Sequence, residues 1–244
     1  MNTLEKKYIQ ISAPFRGVLI GKMNTGKSTF VFNFIRNIKK LTDIKEECEI
    51  VFCFNHRNSE EGFKNAAEEV GFEFSSLKGL PDPQELTDYQ ENRDKKPLLV
   101  IFEDLSHSFT RLSGKAQTDW CNFLLSSRHD NISLIIILHG FPIGIRKNYF
   151  SSEMIDNCSF IVLFQSFFND SLQLTLFCNK YLNGKKAVIL NCLNIAKELS
   201  VLDKNCPYIF INVDQEQIKH IKTCHRFRLD LFKRNLIINS KSLE

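Results

Sequence analysis

Apolar residues fall along this chain in short continuous runs separated by stretches with helical spacing. Arg16-Gly17-Val18-Leu19-Ile20 runs apolar into a glycine-bounded loop, and beyond it Phe30, Phe34, Ile35 and Ile38 recur on one helix face. Glu49 to Phe54 is a second strand-like run, and Phe63, Ala66, Ala67 and Val70 predict a helix closed by Gly71. Between Ser76 and Lys96, Gly79, Pro81 and Pro83 stand among charged residues, which predicts a surface connection with one short helical turn. Leu98 to Phe102 then reads as a buried strand ending on Glu103-Asp104, and Ala116, Trp120, Phe123 and Leu124 mark a helix. Ile132 to Leu138 and Phe160 to Phe164 are further strands. Leu174, Phe177, Cys178 and Tyr181 lie on the helix after them, and Tyr208 to Ile211 is a late strand. Continuous apolar strands alternating with amphipathic helices predict an α/β fold of three layers, a mainly parallel sheet covered on both faces.

Composition narrows the class without changing that picture. A chain of 244 residues with 43% hydrophobic and 25% charged residues suits one α/β domain spanning 1–244. Its apolar runs fall far short of the ~20 residues that cross a bilayer, so no membrane span is expected. The first seven residues carry neither an apolar signal core nor a small-residue cleavage site, and the expectation is an intracellular protein. Eight cysteines without a Cys-x-x-Cys pair read as reduced thiols, and Cys53 with His56 is a metal half-site lacking a second half. The net charge of +4 is mild. The C-terminal segment at about 219–244 is more basic: from Lys219 to Arg234, Lys219, Lys222, Arg226, Arg228, Lys233 and Arg234 face one acid, Asp230. Such a segment is either a solvated terminal face or a surface that tracks a phosphate backbone.

The loop after the first strand carries the strongest chemical signal. Gly21-Lys22-Met23-Asn24-Thr25-Gly26-Lys27-Ser28 fits G-x-x-x-x-G-K-[ST], and it follows a strand and opens a helix as a P-loop must. Glycines at both ends let successive N–H groups turn inward around phosphate oxygens, and the helix start adds its positive end. Gly21 to Thr29 are therefore candidate ATP-binding residues, with Lys27 on the β- and γ-phosphates and Ser28 on Mg²⁺. Glu103-Asp104 supports this independently, because two adjacent acids at the C-terminal end of an apolar strand need a cation or a catalytic duty. Glu103 is assigned to the metal and Asp104 to the water that attacks the γ-phosphate. The reverse pairing stands as the alternative, since Asp is the commoner Mg²⁺ partner. A guanine-specific Asn-Lys-x-Asp signature is missing, for Asn179-Lys180-Tyr181-Leu182 lacks the acid, and no Arg-rich kinase lid is present in the sequence.

Ser127-Arg128-His129-Asp130-Asn131-Ile132-Ser133, leading into Leu134 to Leu138, resembles the Arg-His-x-Asn-[Ile/Cys]-Ser segment of viral genome-packaging ATPases. These belong to the FtsK/HerA superfamily, in the branch of poxviruses, other large DNA viruses and Maverick/Polinton elements. The resemblance covers most of the chain: Pro14-Phe15-Arg16, the acid-ended strand, Cys158 to Phe164, Tyr208 to Ile211 as a final strand, and Arg226-Phe227-Arg228 as a basic tail. It implies a RecA-like, additional-strand P-loop NTPase core that assembles as a homo-oligomeric ring. The family hydrolyses ATP to drive double-stranded DNA into a capsid, with capsid or portal proteins as partners, in the host nucleus or a cytoplasmic viral assembly site.

The same resemblance implies site roles and departures. Arg128 matches a position able to serve as an arginine finger for a neighbouring subunit's γ-phosphate, or it pairs locally as a surface arginine. Where the family places a phosphate-sensing glutamine this chain has His139-Gly140, whose imidazole can donate one hydrogen bond to a phosphate oxygen. The family's Arg-Asp pair becomes Phe167-Phe168-Asn169-Asp170, which keeps the acid and leaves Arg128 or Arg146 to supply the finger. Two other classes stay open beside the translocase: a nucleotide-gated assembly or regulatory module, and a helicase-like replication or transposition ATPase acting on single strands.

Overall fold

The computed structural model describes residues 11–45, 47–56, 59–140, 157–181, 184, 186–187, 189–194, 208–212, 227–229 and 236–239. The strands are β1 (Arg16–Ile20), β2 (Glu49–Phe54), β3 (Glu73–Lys78), β4 (Leu98–Glu103), β5 (Ile132–Leu138), β6 (Phe160–Phe164), β7 (Tyr208–Asn212), β8 (Phe227–Leu229) and β9 (Leu236–Asn239). They form one nine-stranded sheet in the order β3-β2-β4-β5-β1-β6-β7-β9-β8. From β3 through β6 every neighbouring pair is parallel, so the C-terminal ends of β2, β4, β5, β1 and β6 share one sheet edge. β7 runs antiparallel to β6.

Helices cover both faces, as the apolar runs predict. α1 (Lys27–Arg36), α2 (Ile38–Leu41) and α3 (Glu60–Val70) bury Phe30, Val31, Phe34, Phe63, Ala66 and Ala67 with Leu99, Ile101, Ile135 and Ile137 in one layer. α4 (Pro83–Glu91), α6 (Gly114–Ser126) and α8 (Ser171–Tyr181) bury Leu86, Trp120, Phe123, Leu174 and Phe177 with Val100, Phe102, Leu134 and Ile136 in the other. Alternate residues of β4 and β5 thus enter opposite cores, which is why these strands read as unbroken hydrophobic runs. Short α5 (Ser106–Arg111) and α7 (Gln165–Phe168) follow β4 and β6 directly. The fold is a three-layer α/β/α P-loop NTPase with β5 inserted between the loop strand β1 and the acid-ended strand β4.

Two expectations are corrected. The stretch from Ser76 to Lys96 is more than a surface connection with one turn: it completes β3 and contains the nine-residue helix α4. β3 escaped a hydrophobicity reading because it is an edge strand in which four of six residues are polar, paired on one side to β2. The signal for α4 was present in Asp82-x-x-Glu85 with Pro83 at the first helical position. Asp82 Oδ1 accepts from Gln84 N at 2.8 Å, and Glu85 Oε2 accepts from Asp82 N at 3.3 Å. The second correction concerns the end of the chain. β7 is not the final strand: β9 pairs parallel to it, and Phe227 to Leu229 of the expected tail form β8. The remaining basic positions of that segment lie outside the described residues.

Candidate functional site

The loop, the acids and the histidine come from separate elements and meet at the C-terminal edge of the sheet. Ile20 is in register with Leu138, and Glu103 with Ile137 and Phe54, so Gly21, Asp104, His139 and Asn55 follow four strand ends side by side. The loop holds its turn through Asn24 (φ 58°) and Gly26 (φ 84°), both left-handed. Gly26 also caps α1 without a side chain, which leaves the first N–H groups of the helix for a phosphate. At Gly21 a Cβ would lie 2.7 Å from Phe164 Cβ and 2.9 Å from Thr25 Oγ1, so only glycine lets β1 leave the sheet this closely against β6. Thr25 Oγ1 donates to Lys22 O at 2.8 Å, and Ser166 Oγ on α7 accepts from Lys22 N at 2.7 Å. Met23 at the loop tip is exposed.

Lys27 is 5% exposed and donates from Nζ to Gly21 O at 2.7 Å and Lys22 O at 2.6 Å. Its pKa is lowered by burial, against the opposing pull of Asp104 and Glu103. A buried ammonium held by neutral carbonyls of its own loop suits an anionic ligand. Ser28 Oγ donates to Glu103 Oε1, bringing a hydroxyl and a buried carboxylate together. Such hard oxygen groups suit Mg²⁺, which takes one or two protein ligands and completes its shell with phosphate and water. Bound there, the ion would neutralise charge on the phosphates. Asp104 points elsewhere, with Oδ1 against His139 Nε2, while His139 Nδ1 lies 3.5 Å from Lys27 Nζ. The two acids are thereby separated: Glu103 joins Ser28, and Asp104 joins the histidine.

Burial raises the pKa of Glu103, an effect opposed first by the hydroxyls of Ser28 and Ser59, reinforced by Asp104 and opposed again by Lys27. The folded protein therefore binds this proton more tightly than the unfolded chain does. Its stability falls as pH rises from the ordinary value of 4.5 through the raised one. Glu103→Gln removes that loss while keeping an acceptor for Ser28. The expected outcome is a higher melting temperature than wild type at pH 7.5 without nucleotide, measured by calorimetry, together with loss of Mg²⁺-dependent ATP turnover.

Arg128 sits elsewhere. It precedes β5 and so lies at the N-terminal edge of the sheet, opposite Lys27. Its Nη2 donates to Ser159 Oγ at 3.0 Å and reaches Asn157 O at 3.5 Å, and its Nε is buried without a hydrogen-bond partner. Beside it, buried Arg16 donates to Ser127 Oγ, Asn157 O and Leu125 O at the end of α6. Burial and the neighbouring Arg128 bring the Arg16 pKa down to about 10. Asp170, the retained acid of the altered pair, caps α8 by accepting from Leu172 N at 3.1 Å and Gln173 N at 3.0 Å. Arg146 lies outside the described residues. Cys53 is buried in the core with its thiol pushed up to about 12 by desolvation, so it forms no half-site with His56.

No protein-family model matches the chain, and no curated protein matches it. Solved structures with a similar fold include the genome packaging NTPase B204 of Sulfolobus turreted icosahedral virus 2 in complex with ATP-gammaS. It is 11% identical with a TM-score of 0.47, over 91% of this chain and 94% of that one. The same protein with AMPPCP is 14% identical with a TM-score of 0.46, over 91% and 95%. A KaiC-like protein of Pyrococcus horikoshii is 14% identical with a TM-score of 0.41, over 62% and 72%. All three TM-scores are below 0.5.

Asn55 and Ser166 were missed from the sequence. Asn55 Nδ2 donates to Asp104 O at 2.7 Å and holds the backbone of that residue, which is left-handed at φ 58°. Asn55 directly follows β2 and Ser166 stands two residues beyond the end of β6, and a strand exit on the same edge as the P-loop was the signal available for finding them.

Proposed function

We propose that this chain is an ATP-hydrolysing motor that drives double-stranded DNA into a viral capsid as a genome-packaging ATPase. The observation that carries the hydrolytic part is the convergence of Lys27, Ser28, Glu103, Asp104 and His139 at adjacent strand ends. Gly21 to Thr29 hold the phosphates of ATP, and Ser28 and Glu103 hold Mg²⁺. The Asp104 carboxylate, paired with His139, supplies the negative charge that favours loss of a proton from the attacking water, and His139 meets the reacting phosphate. Lys27 neutralises charge as the β,γ bond breaks.

The DNA part rests on the resemblance of Ser127 to Leu138 to packaging ATPases, with the insertion of β5 in support. A ring follows from the same resemblance. In a head-to-tail ring each interface joins two different patches, so the edge bearing Arg128 can face the neighbour's P-loop. Capsid or portal proteins are the proposed docking partners, and Arg228 with its basic neighbours the proposed DNA contact.

The deciding measurement is the ATPase rate of the assembled protein with no DNA, single-stranded DNA and double-stranded DNA. Duplex is expected to stimulate most, and the affinity for duplex, read from the DNA concentration giving half-maximal stimulation, is expected to fall about 10³-fold or more between 50 and 200 mM salt if six or more phosphates are contacted. Equal rates in all three conditions would remove the translocase reading and leave a nucleotide-gated module. Stimulation by single strands alone would favour a helicase.

A further inference from the structure

His139 directly follows β5, the strand between β1 and β4, and each of its ring nitrogens meets a group of one hydrogen-bonding character. Nε2 meets Asp104 Oδ1. An ionised carboxylate only accepts, so Nε2 carries the hydrogen. Nδ1 lies 3.5 Å from Lys27 Nζ, an ammonium that only donates, so Nδ1 carries the lone pair. The two neighbours select one tautomer. Its basic nitrogen faces away from the carboxylate and toward the ammonium that the loop offers to phosphate.

Asp104 is fixed in turn by its left-handed backbone and by the Asn55 side chain on its carbonyl. Lys27 from α1 and Asp104 from the end of β4 are the charged groups that touch His139 among the described residues, and Glu103 beyond them is engaged by the Ser28 hydroxyl. A carboxylate already bound to an imidazole N–H is a poor acceptor for a second proton. A neutral imidazole whose N–H is engaged in this way, by contrast, keeps a lone pair on its other nitrogen that can take that proton.

Resting on the ATPase reading above, we infer that His139 Nδ1 receives the proton of the attacking water, and that Asp104 and Asn55 are positioning residues that act through it. In that step the water oxygen forms a bond to the γ-phosphorus. The bond from that phosphorus to the β,γ-bridging oxygen breaks, and its electron pair leaves with ADP. The water's proton passes to the Nδ1 lone pair, and the Asp104 carboxylate stabilises the imidazolium through Nε2–H. Release of the proton to solvent restores the neutral ring.

The test uses the full-length protein and measures steady-state ATP turnover from about pH 5 to pH 9, the range in which imidazoles change charge. Wild type, His139→Gln and His139→Ala are compared, with nucleotide affinity from a fluorescent ATP analogue and folding from thermal melts. The expected variants melt and bind the analogue like wild type but turn over about 10²- to 10⁴-fold more slowly. The wild-type rate falls on the acid side with an imidazole-like inflection that His139→Gln lacks. Added imidazole restores part of the turnover of His139→Ala, a gain that a merely structural histidine would not show. A wild-type acid limb in the carboxylate range, or a His139→Gln protein with wild-type turnover and pH profile, overturns the inference and returns the base role to Asp104. A wild type that binds the analogue and hydrolyses no ATP at any pH overturns the ATPase reading, and this inference with it.

Discussion

Lys27→Ala is expected to bring ATP turnover below detection and to weaken nucleotide binding by roughly tenfold to a hundredfold. The binding loss follows from one charged hydrogen bond of about 1.5–3 kcal/mol. The larger loss arises in the transition state, where charge grows on the β,γ-bridging oxygen and a preorganised donor contributes a further ~2.7–4 kcal/mol. Lys27 is preorganised here because Gly21 O and Lys22 O hold its Nζ at the mouth of the loop. The side chain is also deeply placed, and no other ammonium touches these two carbonyls among the described residues. Titration with a fluorescent ATP analogue beside a phosphate-release assay separates the two effects. Turnover within about tenfold of wild type, less than one lost charged donor would take from the transition state, would contradict the assignment of the loop.

Phe160→Ala is expected to be the most damaging change to stability, by about 3–5 kcal/mol and on the order of 10 °C in melting temperature. The ring is fully buried at the start of β6, stacked on Phe210 at 5.1 Å and packed against Phe34 at 5.7 Å and Phe15 at 5.8 Å. It also lies over Gly17, where an added Cβ would meet its Cζ at 2.2 Å. Truncation opens a cavity between β1, β6, β7 and α1 that these close-packed elements relax only partly to fill. Phe160→Leu, which retains much of the volume, is expected to lose less than half as much in a denaturant titration. The consequence reaches function, because the same two strands carry the P-loop and Ser166 on their far ends.

The elements legible in the sequence were those whose burial is two-sided. Leu98 to Phe102 and Ile132 to Leu138 are almost continuously apolar because both faces of a central parallel strand meet helices, a pattern that a strand buried on one face does not show. β3 was not legible for the converse reason. As a polar edge strand its stabilisation lies in backbone pairing to β2, which leaves no trace in side-chain hydropathy. The P-loop was legible because its geometry constrains residue type directly. Left-handed Gly26 and the crowded Gly21 are positions that other residues fit poorly.

Sequence by itself determined the strand–loop–helix unit with Lys27 and Ser28, the acids Glu103 and Asp104 at a strand end, and the α/β class. Each is set by local sterics, by periodicity or by adjacent residues. Only the tertiary structure decided which acid faces which partner. Glu103 and Asp104 are neighbours in the chain, yet the left-handed turn at Asp104 sends one carboxylate to Ser28 and the other to His139. That division depends on β5 lying between β1 and β4, a pairing over more than a hundred residues of chain that local pattern does not encode. The same insertion that puts His139 beside Lys27 puts Arg128, shortly before β5, on the opposite edge of the sheet.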